Sequence, residues 1–266
     1  MQIDQVIMNI PAFENLFNLT GRHALITGAT QGIGRSIAHR LTQAGAEVIL
    51  HCRDDRPELH TLIDELSQLN KKKPKYVTGD LRKPEIYSEI MRRSLEQVPH
   101  LDILINNAAI QSTASLENIS EKDVSEMLTI NLATPLLLIK AFANQKIENG
   151  AVVNISSIEA IRPAINHSHY ASTKAGLLNL TMSSALELGK KNIRVNSICP
   201  GLTERPGLER DWPEGVKSWL DQVPLGRLCT SDDIANSTLF LVSEASSFIT
   251  GACITVDGGI SSVSGW

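Results

Sequence analysis

Short apolar runs alternate along this chain with longer stretches of mixed polarity. "HALIT" (His23–Thr27), "EVILH" (Glu47–His51), "KYVT" (Lys75–Thr78) and "LDILIN" (Leu101–Asn106) come first. "AVVNIS" (Ala151–Ser156), "IRVNSI" (Ile193–Ile198) and "CITV" (Cys253–Val256) complete a set of seven. These runs are rich in β-branched residues and nearly continuous in apolar character, as strands covered on both faces should be. Between them the apolar positions recur at helical spacing over Gly32–Gln43, Glu58–Leu69, Pro84–Gln97, Glu121–Asn144, Ser168–Lys190 and Ser231–Ser243. Such alternation predicts an α/β fold, a doubly wound parallel sheet of seven strands with helices on both faces.

The same pattern sets the expected organisation. There is no internal repeat, low-complexity tract or Pro/Gly-rich linker, so residues 21–266 read as a single domain after a short leader, 1–20, packed on its surface. The stretch Gly201–Arg227 breaks the rhythm. It carries Pro206, Pro213, Pro224, Trp212 and Trp219 and no long period. A long insertion after a strand in such a fold is usually functional, and here it reads as a lid over a substrate.

Composition narrows the chemistry. A chain of 266 residues with 42% apolar content can build its core without staples. Its formal net charge of -4 gives no general attraction to nucleic acid or anionic membrane. The basic run "KKKPK" at Lys71–Lys75 reads as a solvated loop between a helix and a strand. No uninterrupted apolar run reaches about 18 residues, and the first 20 residues lack the pattern of a secretory signal. Cys52, Cys199, Cys229 and Cys253 show no paired spacing, which fits a reduced cytoplasmic protein better than a disulfide framework or a zinc site. "HSH" at His167–His169 has no third ligand at helical spacing, so no metal is expected.

The most informative stretch is "TGATQGIG" (Thr27–Gly34), where the first strand hands over to the first helix. Ligands of a doubly wound sheet bind beyond the carboxyl ends of its strands. A helix starting there presents unpaired N–H groups and a positive dipole end, both suited to a pyrophosphate. Glycine permits the turn and lets backbone approach the ligand with no Cβ in the way. The spacing G-x-x-x-G-x-G is not that of a P-loop, since no Lys-Ser/Thr follows Gly34.

Further motifs follow in order: "NNAA" (Asn106–Ala109), "INLATP" (Ile130–Pro135), "NISS" (Asn154–Ser157), "YASTK" (Tyr170–Lys174), "NSICPG" (Asn196–Gly201) and "ITVDGG" (Ile254–Gly259). With the glycine turn they make the chain resemble the short-chain dehydrogenase/reductase family in its compact form, over nearly everything after Leu19. The resemblance implies a Rossmann-type sheet and an NAD(P)-dependent oxidoreductase acting on CH–OH groups. It maps the catalytic set onto Asn131, Ser157, Tyr170 and Lys174. It also implies cofactor contacts at Gly28, Thr30, Gln31, Gly32, Ile33 and Gly34, at Asp80 and Leu81, and at Asn107 and Ala108. Tyr170, Lys174, Pro200, Gly201 and Thr203 complete that set.

The chemistry can be derived beside the resemblance. Reducing a carbonyl needs a hydride on carbon and a proton on oxygen, and Tyr170 can supply the proton. A free phenol has a pKa of about 10, too high for an efficient base near neutrality. Lys174 follows at i+4 on the same helical face, so its charge is expected to favour phenolate and lower that value. Ser157 can hydrogen-bond the substrate oxygen. Pro135 lies four residues after Asn131 and has no N–H for the Asn131 carbonyl. That carbonyl is thereby left to hold a water, and in the family a carbonyl at this place joins a proton relay through the lysine.

Cofactor choice turns on "VILHCRDD" (Val48–Asp55). Cys52 stands where NAD-using relatives tend to carry an acid, and Arg53 follows, able to meet a 2′-phosphate. Asp54 and Gln31 point the other way. The reading favours NADP, with NAD as the alternative. Ser157, Glu159, His167, Tyr170 and Trp212 are expected to face a small polar substrate such as a sugar, a polyol or a hydroxy or keto compound. Two other readings stay open: a non-catalytic nicotinamide-nucleotide sensor, or an epimerase or dehydratase of the extended family. Apolar runs such as "LLLIKAFA" exceed what one sheet face covers, and relatives bury these helices across a two-fold axis, which implies a homotetramer.

Overall fold

The computed structural model describes residues 12–83 and 85–263; most of the leader, with Pro84, lies outside them. Seven parallel strands form one sheet in the order β3-β2-β1-β4-β5-β6-β7. They are β1 (His23–Ile26), β2 (Glu47–Cys52), β3 (Lys75–Thr78), β4 (Ile103–Asn106), β5 (Gly150–Ile155), β6 (Ile193–Pro200) and β7 (Cys253–Val256). The strand-to-strand register is unbroken across the central pair, with Ala24 beside Ile103 and Ile26 beside Ile105.

Alternate strand residues serve two separate cores, as the period of two requires. Ala24, Ile26, Val48, Leu50, Ile103 and Ile105 pack under α1 (Gly32–Gln43), α2 (Pro57–Asn70) and α9 (Ser231–Val242). Leu25, Ile49, Val77 and Leu104 pack on the other face. There they meet α3 (Ile86–Leu95), α5 (Thr134–Ala143) and α6 (Ser168–Leu188), while α4 (Glu121–Leu128) packs on α6. Leu19, inside the expected leader, is buried in the first core, and its N–H donates to the Ala44 carbonyl.

Two elements differ from the sequence expectation. The helix expected over Glu121–Asn144 holds one wide turn, Thr129–Ala133, in which the Thr134 N–H reaches back five residues to the Thr129 carbonyl. Pro135, in the first turn of α5, denies the ladder its usual donor and explains the break. This rod, Glu121–Ala143, is long and apolar enough to cross a membrane, and half of its most apolar window is buried in the fold. The second difference is Gly201–Arg227, which holds two short helices, α7 (Leu208–Asp211) and α8 (Pro213–Leu220).

The basic loop behaves as expected. Lys71 takes a left-handed conformation just past α2, Lys72 pairs with Glu47 at 2.5 Å, and Lys75 lies 4.0 Å from the same carboxylate.

Candidate active site

The order of the sheet reverses between β1 and β4, and the glycine turn sits at that switch point. Thr27 ties the two strands: its hydroxyl donates to the Ile105 carbonyl and accepts the N–H groups of Asn107 and Ala108 at 3.0 Å. The Asn107 amide donates to the carbonyls of Thr27 and Gly28. A Cβ at Gly34 would stand 2.2 Å from the Gly28 carbonyl oxygen, so that close approach admits only glycine. At Gly32, which has φ +50, a Cβ would project into open space. Gln31 caps α1 through its extended backbone with no side-chain hydrogen bond, so the first-turn N–H groups remain available to a ligand. Thr30 is buried beside this turn and Ile33 packs on the core.

His51 was missing from the sequence reading. It lies on β2, 2% exposed, and bridges two loops. Its Nδ1 accepts from the Gly28 N–H at 3.4 Å, and its Nε2 donates to the Gly79 carbonyl at 3.0 Å. Burial pulls its pKa down to about 4, so the ring is neutral at pH 7. The available signal was a lone histidine closing an apolar strand.

The end of β2 also carries more charge pairing than expected. The Asp54 carboxylate is held by Arg56, with Nε at 2.6 Å, and touches Arg53 at 3.4 Å. Arg56, the capping residue of α2, holds the Asp54 carboxyl below the usual range. Asp80 is likewise gripped by Arg82, and Leu81 beside it is buried. Both acids near the loop are therefore already neutralised, while Arg53 is half exposed.

The catalytic candidates converge at the start of α6. Tyr170 and Lys174 are 8% and 2% exposed, and the Lys174 Nζ lies 5.6 Å from the phenol ring centre. Ser157, not Ser156, is the serine close enough to Tyr170 to act on its phenol, while its Oγ accepts the Glu159 N–H at 3.1 Å. Ser156 instead donates to the Lys174 carbonyl at 3.0 Å. Burial pushes the Tyr170 phenol up to about 12 against the lowering pull of Ser157. Burial also brings Lys174 down to about 8, and its Nζ donates to the Ile155 carbonyl at 2.8 Å. This corrects the expectation that Lys174 draws the phenol down. Burial is the largest cause and outweighs the pull of Ser157, and the Lys174 head group is engaged by the Ile155 carbonyl.

Asn131 sits within the wide turn and is 1% exposed. Its side chain clamps the Ile110 backbone from both sides, accepting the N–H and donating to the carbonyl, each at 2.9 Å. It also donates to the Thr173 hydroxyl on α6. The side chain is thus fully used in joining this turn to α6, and what it can offer a ligand is its backbone carbonyl, which Pro135 cannot bond.

The expected substrate side is partly assembled. Glu159 accepts from His167 Nδ1 at 2.8 Å, with Gln111 3.4 Å away, and the His167 ring stands edge-on to Tyr170. Trp212 is 53% exposed and lies against Gly215, within the lid itself. Trp219 instead reaches Gly201, where a Cβ would meet its ring at 3.0 Å. Thr203 donates to the Gly201 carbonyl, and Gly201, just past Pro200, bonds Val256.

Against known proteins, the family model described as enoyl-(acyl carrier protein) reductase matches residues 28–261. An L-xylulose reductase of Caenorhabditis elegans is 35% identical, covering 92% of this chain and 98% of the relative. A 3-oxoacyl-(acyl-carrier-protein) reductase of Thermotoga maritima is 33% identical over 91% and 98%. Among solved structures, one described as a 2-deoxy-D-gluconate 3-dehydrogenase of Agrobacterium tumefaciens with bound NADP is 33% identical. It aligns with a TM-score of 0.84, over 94% of this chain and all of that one.

Proposed function

The chain belongs to the short-chain dehydrogenase/reductase family, and we propose that it is an NADP-preferring member acting on a neutral polyhydroxy substrate. It is an NAD(P)-dependent oxidoreductase interconverting a secondary alcohol and a carbonyl. What carries this reading is Tyr170 with the Lys174 Nζ 5.6 Å from its ring, both buried along with Ser157 at the same end of the sheet as the glycine turn. The open space at Gly32 and the uncapped first turn of α1 fit a dinucleotide pyrophosphate. Gly28, Gly32 and Gly34 would line that cradle, Asp80 and Leu81 would meet the adenine, and Asn107 and Ala108 the far ribose. Pro200, Gly201 and Thr203 would border the nicotinamide, which when bound exchanges a hydride with the substrate carbon.

The chain's own groups handle the proton. Ser157 and Tyr170 hydrogen-bond the reacting oxygen, and Tyr170 gives or takes the proton at its Oη. Lys174 and the Asn131 carbonyl link that proton to solvent. Glu159, His167 and Gln111 form a polar wall suited to several hydroxyls. Support for NADP comes from Arg53, with Asp54 occupied by Arg56. Relatives named for L-xylulose agree with a neutral substrate, and the neighbour with bound NADP agrees with the cofactor.

We take residues 21–266 as one domain with a lid at 201–227, assembled as a homotetramer in the cytoplasm. Its small-molecule substrate is its partner, with no nucleic acid or membrane. Free thiols at all four cysteines suit a reducing compartment. The test is a steady-state panel of neutral ketoses and polyols, sugar acids and 3-oxoacyl thioesters, with both cofactors. The expected result is the highest kcat/KM for a neutral polyhydroxy compound with NADP(H). Best turnover of an acyl thioester, or none of any alcohol or carbonyl, overturns the reading.

A further inference from the structure

At the amino ends of the strands, opposite the catalytic set, three ligand-type side chains converge. His23 opens β1, while His100 and Asp102 stand just before β4. Nδ1 of His23 is 3.4 Å from Oδ2 of Asp102, and Nε2 of His100 is 3.3 Å from Oδ1. The three donor atoms lie within 4.8 Å of one another. The two imidazole rings meet edge-on at 89°, centres 5.3 Å apart.

His23 Nδ1 is buried and has no hydrogen-bond partner among the described residues, although it faces a carboxylate. Lone pairs of neutral imidazoles and a carboxylate repel unless a proton or a cation sits among them. A tetrahedral ion with bonds of about 2.0–2.1 Å keeps its donor atoms about 3.4 Å apart. Each imidazole nitrogen stands near that distance from one Asp102 oxygen, His23 from Oδ2 and His100 from Oδ1, so a shared ion would take the carboxylate through both oxygens. Asp102 keeps coordinating capacity, since its Oδ2 takes one backbone hydrogen bond, from the His23 N–H at 2.8 Å. The opposing charge is Arg22, whose Nε lies 3.6 Å from Oδ1 while its Nη2 donates to the Asn149 carbonyl. That neighbour weakens any cation at the site and sets its affinity below that of a dedicated structural zinc centre.

We propose that His23, His100 and Asp102 form a binding site for a divalent transition ion of the zinc class, with water completing its coordination. Two imidazoles with a carboxylate favour such an ion over magnesium or calcium. The ion would staple β1 to β4 at the end of the sheet remote from the chemistry, so its effect falls on stability and not on turnover.

The experiment uses the full chain freed of metal and titrated with Zn²⁺ by calorimetry, with Tm followed in parallel. One ion per chain and a Zn²⁺-dependent rise in Tm are expected. His100 is half exposed, so His100→Ala should keep the metal-free Tm and kcat while losing about tenfold or more in affinity, and the Tm rise with it. His100→Gln serves the same purpose should the alanine variant fold poorly. Cobalt substitution should give visible bands without thiolate charge transfer, since Cys199 and Cys253, 3.2 Å apart, are the competing donors. Thiolate bands, absence of a stoichiometric site, or unchanged affinity in the His100 variants overturns the proposal.

Discussion

Tyr170 and Lys174 stand four residues apart in the first turns of one helix, and burial disfavours the charged form of each, leaving Tyr170 neutral and Lys174 a destabilised cation at pH 7. Tyr170→Phe should reduce turnover below detection while dinucleotide binding, read by fluorescence quenching, survives; near-normal turnover would remove Tyr170 from the proton path. Lys174 carries a cost of roughly 3 kcal/mol for its fully buried charge, from a pKa lowered to about 8. Lys174→Met should therefore be at least as stable as the wild type in urea and lose activity, the trade-off expected of a functional buried charge. Arg53→Ala should weaken NADP about ten- to a hundred-fold, with less effect on NAD. Equal loss of both, measured by titration, would reassign the 2′-phosphate contact.

His51 predicts a pH effect of definite sign. Its folded pKa, about 4, lies below the unfolded value of 6.5, so the unfolded chain binds the extra proton first. This contribution to stability is intact above about pH 6.5 and declines as pH falls toward 4, by roughly 3 kcal/mol in all. His51→Gln, which keeps a donor for Gly79 and an acceptor for Gly28, should flatten that slope and retain cofactor affinity. His51→Leu should weaken the cofactor about tenfold with kcat little changed. At this scale the sequence exposed Ser157, Tyr170 and Lys174 because their spacing is local. His51 and Arg56 stayed hidden because their meaning lies in Gly79, Gly28 and Asp54, seen only once loops meet. The direction of the Tyr170 shift was illegible for the same reason, since burial is a property of the packed chain.

Among the elements, the inner strands were legible because both faces are buried, so apolar character runs on without alternation. The lid helices were not, because α7 has four residues and α8 starts at Pro213, too short for a period to emerge. The entry to α9 is an element written plainly in sequence, Thr230 and Asp233 forming a reciprocal cap reinforced by Arg227. Thr230→Ala should cost about 1 kcal/mol in denaturant unfolding. Because α9 packs on α1, whose first turn forms the cradle, the same variant should loosen cofactor binding slightly.

For the molecule as a whole, the outer faces of the rod and of α6 keep exposed Leu128, Leu136, Met182 and Leu186, the last at 85%. These positions underlie the tetramer proposed above. Leu186→Glu should reduce the assembled mass in light scattering at micromolar concentration, and an unchanged mass would move the interface elsewhere. The proposal of assembly drew on the family resemblance and on an excess of apolar positions. Which of them face outward depends on the twist of the sheet beneath.

The wide turn at Thr129–Ala133 can also be seen as a surplus residue carried inside a rod. Each helical residue advances the side chains by about 100°. Deleting one residue there would not shorten a loop but would turn either Asn131 off Ile110 or the whole apolar face of α5 off the sheet. The length of the chain between Glu121 and Ala143 is thus fixed to the residue.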